Sequence, residues 1–287
     1  MCGRKILITG AKGMLGSALV NNLSYKTIIG FGSEIDITNY DIVSEFLSKE
    51  HPDIIIHTAA FTNVEICEVN IDKAYKINVI GTQNLVNFCM DKDILFIYIS
   101  STGVYGATKD KAYSEFDEVK PTTIHHKSKY EGEKIVQNHL SKYLVLRTGW
   151  LFGGSKEHNK NFVYKRFLEA KDKKIIYSDN TQIGNPTYTM DLVNQIEILI
   201  QSNQYGTFNC VNKAENISRY DYVKKIIELW NLCCEVQVAP DGMFKRIAQV
   251  SHNESATNYK LDLLGLNIMG EWEDSLNSYI KQLKSEL

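Results

Sequence analysis

The segment Gly10-Ala-Lys-Gly13-Met-Leu-Gly16 stands between a short apolar run, Lys5 to Thr9, and a stretch from Met14 to Leu23 whose apolar residues recur at helical spacing. A strand, a turn with three regularly spaced glycines and a helix leave few folds open to the chain. Glycine permits the tight turn and lets backbone approach a ligand, while the helix behind it presents unpaired N–H groups to an anion. In this setting Gly10, Gly13 and Gly16, with Met14 and Leu15 between them, predict a dinucleotide pyrophosphate seated on the first helix.

The rest of the chain repeats the unit. Strands are predicted at Lys26 to Phe31, Asp53 to Thr58, Leu95 to Ser100 and Tyr143 to Arg147, and helices at Tyr40 to Lys49, about Asp72 to Met90 and about Ser128 to Leu140. Strands alternating with helices of this length imply an α/β fold with a doubly wound parallel sheet. After Gly149 the rhythm loosens, and the second half reads as a smaller lobe sharing a cleft with the first. With 287 residues, 44% hydrophobic, 23% charged and 32 basic against 34 acidic residues, the chain is ordinary globular material. No basic excess points to nucleic acid, and no apolar run approaches the ~18 residues a membrane span needs. The six cysteines are scattered without a C-x-x-C pair, which predicts reduced, mostly buried thiols. The first apolar run ends in a glycine turn, not a cleavage site, so the expectation is a soluble, cytoplasmic protein. The histidines, His125-His126 apart, are dispersed and lack carboxylates at ligand spacing, so no metal is expected.

At the end of the third predicted strand, Thr58-Ala59-Ala60-Phe61 offers small residues at the carboxyl edge of the sheet, where open α/β sheets bind ligands. Asp36 and Ile37 are placed to flank an adenine, although a helix cap before Tyr40 accounts for the Asp equally. The second strand ends Gly30-Phe31-Gly32-Ser33-Glu34, with no Asp at its tip and no Arg or Lys following, so the residues do not separate NAD from NADP.

Gly10/Gly13/Gly16, His57-Thr-Ala-Ala60, Asn78, Ser100-Ser-Thr-Gly-Val-Tyr-Gly106 and Lys129-x-x-Gly132-Glu133 together resemble the extended short-chain dehydrogenase/reductases. Asp36-Ile-Thr-Asn39, Leu146-Arg-Thr-Gly-Trp-Leu-Phe-Gly153 and Asp179-Asn-Thr-Gln-Ile-Gly-Asn-Pro-Thr187 are similar to the dTDP-4-dehydrorhamnose reductase family in particular, over about residues 4 to 283. The resemblance implies an NAD(P)-binding Rossmann domain over 1–150, with 188–212 returning to it, and a discontinuous nucleotide-sugar lobe over 151–187 and 213–287. It further implies reduction of a nucleotide-linked 4-keto-6-deoxy sugar by NADP or NAD, with Asn78 and Lys129 on the cofactor side, Thr102 and Trp150 on the sugar side, and a homodimer as a candidate assembly. The family's catalytic groups are a Ser/Thr, a Tyr, and a Lys four residues after the Tyr. Ser101 and Lys129 match the first and last.

The Tyr position holds His125. An imidazolium with reference pKa ~6.5 is a competent proton donor, although a neighbouring Lys129 charge lowers that value. A literal Y-x-x-x-K occurs at Tyr130 and Lys134, which ranks as a second register because it displaces the Gly132-Glu133 pair. In the lobe, Ser251-His-Asn-Glu-Ser255 lacks the Arg the family carries there, and Lys245-Arg246 lies just upstream as a substitute. A reductase is therefore expected, with a cofactor-binding subunit that has lost turnover as the alternative and a nucleotide-sugar epimerase as the third reading.

Overall fold

The computed structural model describes residues 3–287. Six parallel strands form the central sheet: β1 (Lys5–Thr9), β2 (Thr27–Phe31), β3 (Ile54–His57), β4 (Leu95–Ser101), β5 (Tyr143–Thr148) and β9 (Gly206–Asn209), in the order β2-β1-β3-β4-β5-β9. Their inner members are buried at nearly every position because helices cover both faces, which is why they read as unbroken apolar runs. On one face Ile6, Ile8, Ile56, Ile97 and Leu146 pack against α1 (Met14–Asn22) and α8 (Thr189–Ser202). On the other, Leu7, Ile55, Phe96, Tyr98 and Val145 meet α2 (Tyr40–Glu50), α5 (Gly81–Cys89) and α6 (Ile124–His139). The strand order reverses between β1 and β3, and this is where such sheets open a crevice for a ligand.

A separate apolar core binds the lobe together. Two-stranded parallel ribbons, β6 (Leu151–Phe152) with β8 (Thr187–Tyr188) and β7 (Ile175–Ser178) with β10 (Glu235–Val238), pack with α7 (Phe162–Ala170), α9 (Arg219–Trp230) and α11 (Trp272–Ser285) around Phe152, Tyr222 and Tyr279. The short α10 (Tyr259–Leu263), although it falls within 213–287, places Leu261 in the sheet core, and Lys260 donates to the Thr207 carbonyl.

The single helix expected from Asp72 to Met90 is replaced by several pieces. An unforeseen α3 (Val64–Val69) precedes it, capped by the Asn63 side chain, and α4 (Ile71–Tyr75) joins α5 through a π-helical turn at Lys76–Ile80. That turn carries Asn78 inward, where its side chain accepts from Phe61 N (2.7 Å) and donates to the Phe61 carbonyl (3.1 Å) and Ser128 Oγ (2.9 Å). π turns of this kind recur near functional sites. The helix expected from Ser128 begins at Ile124 instead, because Thr123 Oγ1 caps His126 N and Glu68 Oε1 accepts from Ile124 N. His125 and Lys129 thereby occupy its first two turns. Asn39, not Asp36, caps α2, while Asp36 folds onto the backbone and hydroxyl of Thr38. Cys67, Cys89 and Cys210 are buried, but Cys233 is exposed, and Cys2 lies outside the described residues. Among the described residues no helix is long and apolar enough to cross a membrane.

Candidate active site

The glycine turn sits at the β1/β3 switch point and its geometry leaves no room for side chains. Gly10 has φ +66°, and a Cβ there would lie 2.7 Å from Ala59 N; a Cβ on Gly16 would overlap the Gly10 carbonyl. Gly13 N-caps α1 without a side-chain acceptor, so the first-turn donors of that helix are not satisfied by a cap. Thr9 and Thr58 stitch the two strands: Thr58 Oγ1 donates to the Thr9 carbonyl (2.6 Å) and Thr9 Oγ1 accepts from Ala59 N (3.1 Å). A compact backbone cradle ending on an open helix N-terminus fits the pyrophosphate of a dinucleotide.

The cofactor residues named from the sequence divide into two groups. Gly10, Gly13, Gly16, Met14, Ala59, Ala60 and Phe61 border this crevice. Leu15 and Ile37 instead turn their side chains into the core, Ile37 against Gly81, and Asn78 spends its amide on holding the Phe61 loop to α6. His57, between Thr9 Oγ1 (2.7 Å) and Thr82 Oγ1 (3.1 Å), is a buried tie rather than a ligand.

Beside the turn, at the end of β2, Lys12 Nζ pairs with Glu34 Oε2 at 3.0 Å, and Glu34 Oε1 accepts from Gly32 N. The Gly32 and Glu34 backbone amides and the Lys12 ammonium hold the Glu34 carboxyl down at about 2, so it is anionic throughout the working range. An anion at the tip of β2 suits a ribose hydroxyl and repels a 2′-phosphate. Glu34→Gln is expected to lower the KM for NADPH several-fold and raise that for NADH, as read by initial rates with each cofactor; unchanged KM values would place the ribose elsewhere.

Toward the cleft, Ser101 ends β4 and its Oγ accepts from Gly103 N (3.2 Å) as the chain turns into a 3-10 segment at Thr102–Tyr105. The inner face of α6 lies over this strand. Lys129 Nζ sits 4.0 Å from the Tyr98 ring centroid, Tyr98 OH donates to the Lys129 carbonyl, and one turn further Glu133 accepts from Ser100 Oγ (2.5 Å) and from Arg147 Nη2 (2.6 Å). Burial lowers Lys129 to about 7, partly offset by Glu133. His125, one turn above Lys129, is 8% exposed, with both ring nitrogens buried and unpartnered. Burial first, then His126, Lys129 and Lys160, press its pKa well below the ordinary histidine value, so the imidazole is neutral at neutral pH. The imidazolium donor expected from the sequence is thus disfavoured. Tyr130 and Lys134 stand on the outer face, where Lys134 pairs with Glu131 at 2.7 Å, so the second register does not reach the cleft.

Residue 103 is a glycine for a reason outside its own loop. A Cβ on it would overlap the His126 ring, which packs on that backbone and lies edge-to-face with His125 at 4.9 Å. Nearby, the hydroxyls of Thr102 and Thr148 are buried without partners. Trp150, at φ +40° in a region bulky residues avoid, donates from Nε1 to Glu254 (3.1 Å) and carries the Arg219 guanidinium 3.5 Å from its ring centroid. Lys160 reaches across from the lobe to donate to Thr62 Oγ1. Neither Lys160 nor Arg219 was named from the sequence, because no motif marks a contact that spans about a hundred residues.

Residues 4–285 match the family described as RmlD substrate binding domain. A dTDP-4-dehydrorhamnose reductase of Aggregatibacter actinomycetemcomitans is 32% identical over 234 residues, 78% of each chain. Among solved structures, a dTDP-4-dehydrorhamnose reductase of Clostridium acetobutylicum superposes with TM-score 0.91 at 34% identity, covering 98% of this chain and 99% of that one. One from Bacillus anthracis in complex with NADP superposes with TM-score 0.92 at 32% identity, covering 98% and 100%. A UDP-glucose 4-epimerase of Thermus thermophilus shares the fold at TM-score 0.82 and 17% identity, with 99% and 100% covered. With a continuous match over nearly its whole length and a site built on the β1/β3 crevice, the chain belongs to the RmlD family, among the dTDP-4-dehydrorhamnose reductases.

Proposed function

We propose that this protein reduces the 4-keto group of a nucleotide-linked 6-deoxy sugar of the dTDP-4-dehydrorhamnose kind, with NADPH or NADH, in deoxysugar biosynthesis. The observation that carries the reading is the placement of His125 and Lys129 on the inner face of α6, against the strand that ends in Ser101, with both imidazole nitrogens buried and unpartnered. A buried polar group without a partner is costly, and a carbonyl oxygen in the cleft would relieve that cost. The relatives' names and the NADP complex of the Bacillus anthracis protein support the same chemistry.

Gly10 to Gly16 and the Ala59–Phe61 edge would hold the dinucleotide, which in its reduced form would supply the hydride. Ser101 donates its hydroxyl to the sugar carbonyl and orients it. His125, neutral, donates a ring N–H hydrogen bond to the same oxygen as negative charge develops there, and the Lys129 ammonium on the same face of α6 supplies the proton that the oxygen takes up. Lys129, lowered to about 7 by burial, is poised to give the proton up. Lys129 would also hold the nicotinamide ribose, and Thr102 and Trp150 would line the sugar side. In this reading residues 1–150 with 188–212 hold the cofactor, and 151–187 with 213–287 hold the sugar. A cytoplasmic homodimer goes with it as an expectation, read by light scattering of the purified protein.

The direct test is NADPH and NADH oxidation with a panel of 4-keto-6-deoxy nucleotide sugars. Turnover with a dTDP-linked ketosugar is the expected result. Tight cofactor binding with no turnover of any ketosugar would assign the chain to a non-catalytic role, and interconversion of sugars without net NAD(P)H consumption would make it an epimerase.

A further inference from the structure

The loop that joins β6 to α7 reaches out of the lobe and touches both walls of the dinucleotide crevice. It leaves the lobe at Gly153 and Gly154, with φ values of +134° and +72° in the region that favours glycine. A Cβ on Gly153 would overlap Thr189 Oγ1, and one on Gly154 would lie 3.0 Å from Met14 Cγ, so the chain passes close over the first turn of α1. Tyr279 OH reaches the Gly153 and Gly154 carbonyls (3.0 and 2.8 Å), while Asn161, the N-cap of α7, donates to the Ser155 carbonyl (3.0 Å) and to the Tyr279 oxygen (2.6 Å). Both roots of the loop are thus pinned to one buried tyrosine. Between them, Ser155, Lys156, Glu157, Asn159 and Lys160 are exposed.

Two contacts carry this span across the crevice. On the side of the glycine turn, His158 Nε2 lies 3.4 Å from Ser17 Oγ. The Ser155 amide donates to His158 Nδ1 (2.9 Å), so the neutral ring keeps its proton on Nε2, and Ser17 Oγ gives its own proton to the Met14 carbonyl (3.2 Å). The Nε2–H is therefore a donor in a long, weak bond, beside a helix N-terminus that no side chain caps. On the opposite side, Lys160 donates to Thr62 Oγ1, one residue beyond the Ala59–Phe61 edge. The two walls are the loops that follow β1 and β3, and a segment fixed to both passes over the space between them.

We propose that residues 154–160 form a strap that closes over the pyrophosphate of the bound dinucleotide, with His158 Nε2–H exchanging Ser17 for a phosphate oxygen. The inference rests on the dinucleotide half of the reading above and not on the identity of the sugar. An N–H bond to an anionic oxygen is roughly twice as strong as one to a neutral acceptor, so the phosphate displaces the hydroxyl. Cofactor exchange then requires the strap to lift, with the Gly153–Gly154 pair absorbing the backbone rotation at one root.

The test is the rate of NADPH dissociation, read by stopped-flow fluorescence with excess NADP as the displacing ligand. His158→Ala and Lys160→Met are each expected to speed release by about threefold to tenfold, and the double variant further. His158→Gln, which retains a side-chain N–H, should recover much of the loss. Glu65→Ala removes a different bridge between lobe and core, where Glu65 accepts from Ile247 N (2.8 Å) and Ala248 N (3.1 Å), and should release NADPH at the wild-type rate. In the wild type, NADPH should also protect the exposed Lys156–Glu157 and Lys160–Asn161 bonds from trypsin. The strap is wrong if the double variant releases NADPH at the wild-type rate, if NADPH leaves cleavage at those two bonds unchanged, or if Glu65→Ala speeds release as much as His158→Ala. If the wild type binds neither NADPH nor NADH, the dinucleotide reading fails and the strap with it. NADPH binding without turnover of any ketosugar fails the sugar half of that reading alone, and the release rates still decide the strap.

Discussion

Glu133→Gln is expected to destabilise the protein by about 3–5 kcal/mol, the cost of removing one member of a buried ion pair and leaving the other uncompensated. Glu133 is fully buried and Arg147 is 4% exposed, and the guanidinium meets the carboxylate through Nε (3.0 Å) and Nη2 (2.6 Å) in a two-pronged contact. The pair is also a junction. Ser100 Oγ donates to Glu133 from β4, Arg147 lies on β5 and stacks 4.9 Å from the Tyr105 ring, and Tyr105 OH reaches Asn209 on β9 (2.8 Å). A single substitution therefore loosens α6 from β4 and β5 at once. Glu133→Gln/Arg147→Met should recover most of the loss, because replacing both charges by a well-packed uncharged pair is often neutral. Urea unfolding of the two single variants and the double variant measures this, and a single-variant loss below about 1 kcal/mol would show that the pair is not a stability element.

The second large effect concerns turnover and its pH dependence. Lys129→Met is expected to lower kcat by roughly 10²–10⁴-fold, the range for a lost general acid. In the wild type, kcat should fall as pH rises through about 7, because Lys129, lowered there by burial, loses the proton it contributes. His125→Ala should lower kcat without moving that limb, since His125 is neutral well below neutrality and does not titrate in this window. A fall in kcat as pH rises through about 6.5 that disappears in His125→Ala would instead make the imidazolium the donor. The same burial acts on stability with a definite sign. Between about 7 and the ordinary lysine value the unfolded chain holds a proton that the native Lys129 has released, so stability rises with pH across that interval and the penalty is complete below it.

Parts of this architecture announce themselves locally. β1, β3 and β4 are unbroken apolar runs because both of their faces are covered, and the glycine turn is legible because its spacing is dictated by backbone contacts within seven residues and the adjoining strand. The register that places His125 was read from Lys129 and the Gly132-Glu133 pair that follow it. What escaped the sequence is set by distant partners. The π turn at Lys76–Ile80 goes with an Asn78 clamp to Phe61 and Ser128, and α3 is too short to show a helical period. β10 pairs only with β7 at the edge of the lobe and buries one residue of four. Lys160, Arg219 and Glu65 acquire meaning through contacts spanning 69 to 183 residues, and nothing beside them in the chain marks those contacts.

The packing of His126 on Gly103 ties two positions far apart in the chain into a single unit of change. One volume beside the reacting groups is filled from α6, so the loop after β4 must leave it empty. A side chain introduced at 103 alone collides with imidazole, and shrinking His126 alone opens a hole next to His125. Only a paired exchange, a bulky residue at 103 with glycine at 126, keeps the volume filled. Drift at either position is therefore confined by the other, and any redesign of this pocket has to move both in one step.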